Sequence, residues 1–236
     1  MIEIIRERHS DIQWCPSWRI IPNHLPKIQF FEKIAPIDDW DELLAIEALT
    51  DEHARHLKDK IGNIEKEDRL TGPNVGQILA PFIFYDSPGR FNGGTKFGAY
   101  YAAKELTTAI AETIYHRERF LRATNEKAQN VENIAISADL KGVLNDVRGM
   151  KNDHPKLYHP EDYSYSQLVA KDLKDLGSLG VVYDSVRHEG GECAAIFKAR
   201  VLSNWQQQKI LVYQWDGSRI VGHFEKTNET RIQPNN

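Results

Sequence analysis

Residues 89–121 read GRFNGGTKFGAYYAAKELTTAIAETIYHRERFL and hold three groups able to do chemistry on a charged, planar ligand. Arg90 follows Gly89 in a turn that also holds Gly93 and Gly94. Small residues let a ligand approach the backbone closely, and a guanidinium there can grip a phosphate with paired hydrogen bonds. Tyr101 closes a short strand returning from that turn, and its ring can stack on a planar base. Glu112 lies between Ala109, Ile110, Ala111, Thr113 and Ile114. A carboxylate in so apolar a stretch is costly if it points inward without a partner. On a helical wheel it shares a flank with Ala109, Tyr115 and His116, off the Leu106–Ile110–Ile114 stripe, which places it at the edge of a cleft lined by small side chains. Ser185 follows the strand Gly180–Asp184, and a strand end is a usual place for a site residue.

Each of these has an ordinary alternative: a turn arginine in a surface ion pair, a core tyrosine, a solvated helix glutamate, a turn serine. Their arrangement points elsewhere. A strand with an arginine turn, a tyrosine strand and a helix with an embedded glutamate form one unit. It can bind a dinucleotide's phosphates, sandwich its nicotinamide and offer a carboxylate to the ribose.

Other chemistries lack their fingerprints. There is no GxGxxG after a strand, no GxxxxGK[ST] and no HExxH. His53 and His56 lie in the charged stretch DEHARHLKDK and read as a solvated face; His154 and His159 lie in a Pro-flanked loop. Ser185 and His188 are close, but no GxSxG elbow surrounds the serine. Cys15 and Cys193 form no CxxC, so neither a disulfide framework nor a cysteine-rich metal site is expected. The net charge of −4 argues against a non-specific nucleic-acid binder. The charged start and the lack of a long apolar run predict neither signal peptide nor membrane span, so a cytoplasmic protein is expected.

The elements that must position these groups follow from periodicity and turn residues. Strands are expected at 14–21, 81–85, 97–101, 131–140, 180–183, 194–201, 209–213 and 219–224. Helices are expected from Asp38 through Leu49, around 53–60, at 104–122 and at 162–176, with a long loop at 62–76. The mixed order, with strands clustered late, predicts an α+β fold. At 236 residues, 41% of them hydrophobic and 27% charged, the chain suits one large domain. Residues 1–75 are expected as an N-terminal extension packed on a core of residues 76–236.

Three ordered motifs give a specific resemblance. GRFN at Arg90, YYAAKELTTAIAE at Tyr101 and Glu112, and GVVYDSVRHEGGECAAIF at Ser185 resemble the RES family, toxins of bacterial toxin–antitoxin pairs named for their arginine, glutamate and serine. The likeness covers about residues 80–200, and the opening SWRIIP adds Arg19, which resembles the arginine near the start of the family domain. About seventy residues separate Arg19 from Arg90, as in the longer members.

The resemblance implies an ADP-ribosyltransferase-like mixed sheet with flanking helices in a single domain, and an enzyme that consumes NAD+. NAD+ would be the substrate, with inorganic phosphate as co-substrate, and neither metal nor resident cofactor is implied. Glu112, Arg90 and Ser185 carry over as the catalytic groups, Tyr101 as a binding group, with Arg19 and His116 as further candidates. Arginine-specific protein ADP-ribosyltransferases resemble one another in an acidic residue two positions before the catalytic glutamate; here that position is Ile110. Phosphorolysis or hydrolysis is therefore expected ahead of the alternative, transfer of ADP-ribose to a protein. A non-catalytic binding module of the same fold is the alternative of another class. The implied partner is an Xre-like antitoxin with its own DNA-binding domain, and a homodimer is left open.

Overall fold

Seven strands form one mixed sheet in the computed structural model, which describes residues 2–23, 64–85, 88–93 and 97–227. In chain order they are β1 (His9–Pro22), β2 (Tyr100–Ala103), β3 (Gln129–Asp146), β4 (Gly180–Asp184), β5 (Glu192–Ile196), β6 (Leu202–Trp215) and β7 (Ile220–Glu225). The order across the sheet is β1-β2-β5-β4-β3-β6-β7. β1 also pairs with β3, from His9 opposite Asn145 to Pro22 opposite Asn133. β1, β2, β5, β4 and β3 therefore close into a ring, and β6 and β7 extend from it. β3 and β4 run parallel and the remaining pairs are antiparallel. Among the described residues four helices accompany the sheet: α1 (Ile2–Glu7), α2 (Val75–Ile83), α3 (Leu106–Ala123) and α4 (Ser164–Asp175). The α+β class expected from the sequence is what the structure shows.

Alternation along the strands decides which side chains meet the helices. Tyr100 and Ala102 of β2, Val182 of β4, and Ala194 and Ile196 of β5 share one core cluster, together with Ile12 and Trp14 of β1 and Ile78 of α2. Their neighbours Ala103, Val181, Tyr183, Cys193 and Ala195 turn the other way, into a cluster with Ala109 and Ile110 of α3 and Val169, Ala170 and Leu173 of α4. Ala103, Cys193 and Tyr183 lie in one row across three strands. That row passes below α3, and it puts a thiol and a phenol where the helix glutamate points.

Several expected elements differ. The strand expected at 81–85 is the end of α2. Val75, Ile78, Leu79 and Ile83 are all buried, and their spacing is helical, which outweighs the β-propensity of Phe82, Phe84 and Tyr85 and the proline at 81. The loop expected at 62–76 contains a 3-10 turn at Lys66–Asp68 and already enters α2 at Val75. The strand expected at 97–101 begins at Tyr100 and continues to Ala103, so Tyr101 sits within it rather than closing it. Residue 98 must be glycine for a close crossing: a Cβ there would lie 1.7 Å from the Pro81 carbonyl oxygen. The strand expected at 194–201 stops at Ile196, and a 3-10 turn at Ala199–Val201 leads into β6, far longer than 209–213.

The strand expected at 14–21 reaches from His9 to Pro22, with a register shift between Trp14 and Ser17 that accommodates Pro16. Within residues 1–75, β1 is bonded to β2 and β3 of the ring. The charged start contains α1, tied to α4 by a two-pronged Arg6–Asp172 ion pair. The helices expected at 38–49 and 53–60 lie outside the described residues. No helix among the described residues is long and apolar enough to cross a membrane.

Candidate active site

α3 presents Ala109, Glu112, Thr113 and His116 as one stripe, at the i, i+3, i+4, i+7 spacing of a helix face, to a cavity of about 360 Å³. That volume falls in the usual range for small-molecule sites. Arg19, Arg90, Tyr101, Tyr183 and Cys193 also line it. Of the six site residues expected from the sequence, five line this cavity. The sixth, Ser185, reaches it through Glu112. Glu112 is the sole acidic side chain among the described residues lining it.

Glu112 is half-buried. Ser185 Oγ donates to its Oε1 at 2.6 Å. The backbone N–H groups of Arg187 and His188 donate to Ser185 Oγ at 3.1 and 3.0 Å, so the hydroxyl proton is directed at the carboxylate. Ser185 thus positions the glutamate and is not poised as a nucleophile. The turn that does this depends on Gly191, where a Cβ would lie within 3 Å of Thr108 and His188 atoms. Cys193 Sγ approaches Oε1 at 4.0 Å. Burial, and next the Glu112 charge, push that thiol well above its ordinary range, so it is neutral beside the carboxylate. Among the described residues Glu112 Oε2 has no hydrogen-bond partner.

Arg90 is buried, with 7% of its surface exposed. Its Nη1 donates to the carbonyls of Leu157 and His159, both at 2.9 Å, and its guanidinium lies over the Tyr163 ring at 4.6 Å. Nε and Nη2 make no hydrogen bond among the described residues. The guanidinium is therefore half committed to the scaffold and half free.

Tyr101 fixes the turn that carries this arginine. Its hydroxyl accepts from Phe91 N at 2.8 Å and donates to Asn92 Oδ1 at 2.8 Å. Burial raises its pKa, and the Phe91 N–H and the Arg90 charge oppose that in part. A Cβ on Gly89 would collide with Asn92 Oδ1 and the Tyr101 hydroxyl, at 2.5 and 2.6 Å, so GRFN closes around the phenol only with glycine in first place. Tyr101→Phe leaves Phe91 N–H and Asn92 Oδ1 without that partner. We expect it to cost about 1–3 kcal/mol, read as a lower urea midpoint with an unchanged m-value. A midpoint equal to wild type would show that the turn does not depend on the hydroxyl.

Arg19 reaches the cavity despite its distance in sequence. β1 and β2 are bonded at one pair, Trp18 opposite Ala103, and beside it Arg19 Nη1 donates to the Tyr101 carbonyl at 3.0 Å. The guanidinium lies over the Tyr100 ring at 4.7 Å. Its Nε is buried without a partner, and burial lowers its pKa. His116 stands exposed at the mouth. The protein packed around its ring lowers its pKa, Glu112 opposes this, and Arg187, Arg119 and Arg90 add to the lowering.

Sequence reasoning missed Asn92, Tyr163, Tyr183 and Cys193. The first is the last letter of GRFN. Tyr183 and Cys193 were legible in principle, since period-two counting along β4 and β5 puts them on the helix-facing side. Tyr163 precedes α4 and has no local signal. No group of three or more residues suited to holding a metal is found among the described residues.

The RES domain family model matches residues 67–216, which include Arg90, Tyr101, Glu112 and Ser185. The chain is also similar to a solved structure described as the M. tuberculosis MbcT–MbcA toxin–antitoxin complex, at 15% identity and a TM-score of 0.47, covering 90% of this chain and 91% of that one. No curated protein matches the chain.

Proposed function

Because the chain belongs to the RES domain family, we propose that it is a toxin of a bacterial toxin–antitoxin pair that degrades NAD+ at the nicotinamide–ribose bond. The observation that carries this reading is Glu112: one carboxylate oxygen held by Ser185 at 2.6 Å, the other free, in a cavity shared with Arg90 and Tyr101.

The chemistry suits that arrangement. When the C–N bond breaks, its electron pair goes to the pyridinium nitrogen and neutral nicotinamide leaves. The ribose becomes oxocarbenium-like. A fixed carboxylate beside that cation lowers its energy, as in glycoside cleavage, and Glu112 needs no reorganisation to do so because Ser185 already holds it. The free Nε and Nη2 of Arg90 suit a phosphate oxygen of the dinucleotide. The Tyr101 ring lines the wall where the nicotinamide would lie and restricts its conformers. An oxygen of inorganic phosphate, or of water with loss of its proton, then forms the new bond to the ribose carbon.

One further observation favours a small acceptor over a protein arginine. Ile110, two positions before Glu112, is buried in the core, so that position offers no second carboxylate to activate a guanidinium. The proposed partner is an Xre-like antitoxin that covers the Arg90–Glu112 cleft.

The test is incubation of the pure full chain with NAD+, with and without phosphate, following released nicotinamide by chromatography. Phosphate-dependent release supports phosphorolysis, and release in water alone supports hydrolysis. Turnover that starts only when a protein acceptor is added would overturn both in favour of ADP-ribose transfer. No release under any of these conditions would leave a binding module.

A further inference from the structure

We propose that the mouth of the cavity carries a phosphate subsite, formed by His116 and Arg119 of α3 together with Arg187 from the turn after β4. The naming of its occupant rests on the NAD+-cleaving reading; the existence of the site does not.

Tyr115, His116 and Arg119 continue the ridge of α3 that starts at Glu112, at spacings of three and four residues. Arg187 is brought to that ridge from the sheet. Its guanidinium lies 3.3 Å from the centroid of the Tyr115 ring, and the Tyr115 and His116 rings are 5.3 Å apart. Nη2 of Arg187 donates to the Pro160 carbonyl. Its backbone N–H donates to Ser185 Oγ, the group that holds Glu112. Arg187 is thus fixed by a ring, a carbonyl and the serine turn, while Nε and Nη1 make no hydrogen bond among the described residues.

The rim carries cations that no carboxylate neutralises; elsewhere Arg8, Arg19 and Arg117 likewise donate their hydrogen bonds to neutral oxygens. Arg6, Arg122, Arg148, Arg200 and Arg219 each sit on a carboxylate. Among the described residues Arg90, Arg119 and Arg187 form no ion pair, although the chain carries a net charge of −4. All three act on the His116 imidazole and disfavour its protonation. Clustered cations facing a single fixed carboxylate repel one another, and a dianion with several acceptor oxygens relieves that repulsion and satisfies the open guanidinium forks. Inorganic phosphate acting as the attacking group and a phosphate of the dinucleotide share this chemistry.

Two measurements on the full chain test the site. The first is thermal unfolding in inorganic phosphate against chloride of equal ionic strength. Wild type is expected to gain ~2–4 °C at saturating phosphate. Arg119→Ala should lose about half of that gain, and Arg119→Ala with Arg187→Leu nearly all of it. An equal gain in wild type and both variants, or none above chloride, overturns the subsite. This result needs no turnover, so it stands apart from the fate of the cleavage reading. The second is steady-state kinetics. A rise of ~10-fold in KM for phosphate, with KM for NAD+ within twofold of wild type, identifies the attacking phosphate as occupant. A rise confined to KM for NAD+ identifies the dinucleotide. Both constants unchanged in Arg119→Ala removes the site from the reaction.

Discussion

Glu112→Gln is expected to slow nicotinamide release by about 10²–10³-fold while leaving the fold intact. The substitution is nearly isosteric. The amide oxygen can still accept from Ser185, so the wall of the cavity keeps its shape and the thermal midpoint should stay close to wild type. In the proposed reaction, what disappears is the negative charge that faces the ribose as the leaving group departs. Because that charge matters most in the transition state, the loss should fall on kcat more than on KM for NAD+. Nicotinamide quantified by chromatography over an NAD+ series reads both constants. Release at the wild-type rate would remove the carboxylate from the chemistry and leave Ser185 supporting a structural side chain. A matched growth assay should show toxicity lost together with turnover.

Arg90→Lys separates the two halves of the buried guanidinium. The arginine uses Nη1 for the Leu157 and His159 carbonyls, while Nε and Nη2 make no hydrogen bond among the described residues and are the atoms proposed to hold a phosphate. A lysine offers one ammonium on a flexible stem and cannot serve both ends at once. We expect a stability loss of about 1–3 kcal/mol from the weakened carbonyl contacts. We also expect kcat/KM to fall ~10²-fold, most of it through KM for NAD+, because a phosphate contact binds ground and transition states alike. Urea unfolding and steady-state rates measure the two effects on the same preparation. Loss of stability with unaltered KM would make Arg90 a purely structural arginine.

The sequence carried α3 well, because Leu106, Ile110 and Ile114 repeat on one face and Glu112 stands off it. It misled at α2, where Phe82, Phe84 and Tyr85 favour a strand by propensity while the buried set Val75, Ile78, Leu79 and Ile83 follows a helical period. Periodicity records which face is covered, and here it outweighs propensity. Arg90, Tyr101 and Glu112 were readable as a group because they sit close in sequence and the chain doubles back between them. The pairing of Ser185 with Glu112 spans 73 residues and leaves no local trace. The same holds for Arg19, whose place depends on β1 joining both β2 and β3. The Tyr101 hydroxyl was unreadable for another reason: a ring lining a cavity and a phenol bolting a turn look alike in a one-dimensional pattern.

The closed ring of strands also sets an order in time. β1, residues 9–22, is synthesised long before β3, residues 129–146, gives it a partner. β2 likewise waits for β5. Pairings so distant along the chain are slow to form, and until they do a 14-residue strand offers bare edges to any neighbour. The pieces that complete the site, Ser185, Arg187 and Cys193, also arrive well after Glu112. A ribosome that stops before them releases a chain with Glu112 but nothing to aim it. The topology therefore holds back the assembled cleft until β4 and β5 have both been made.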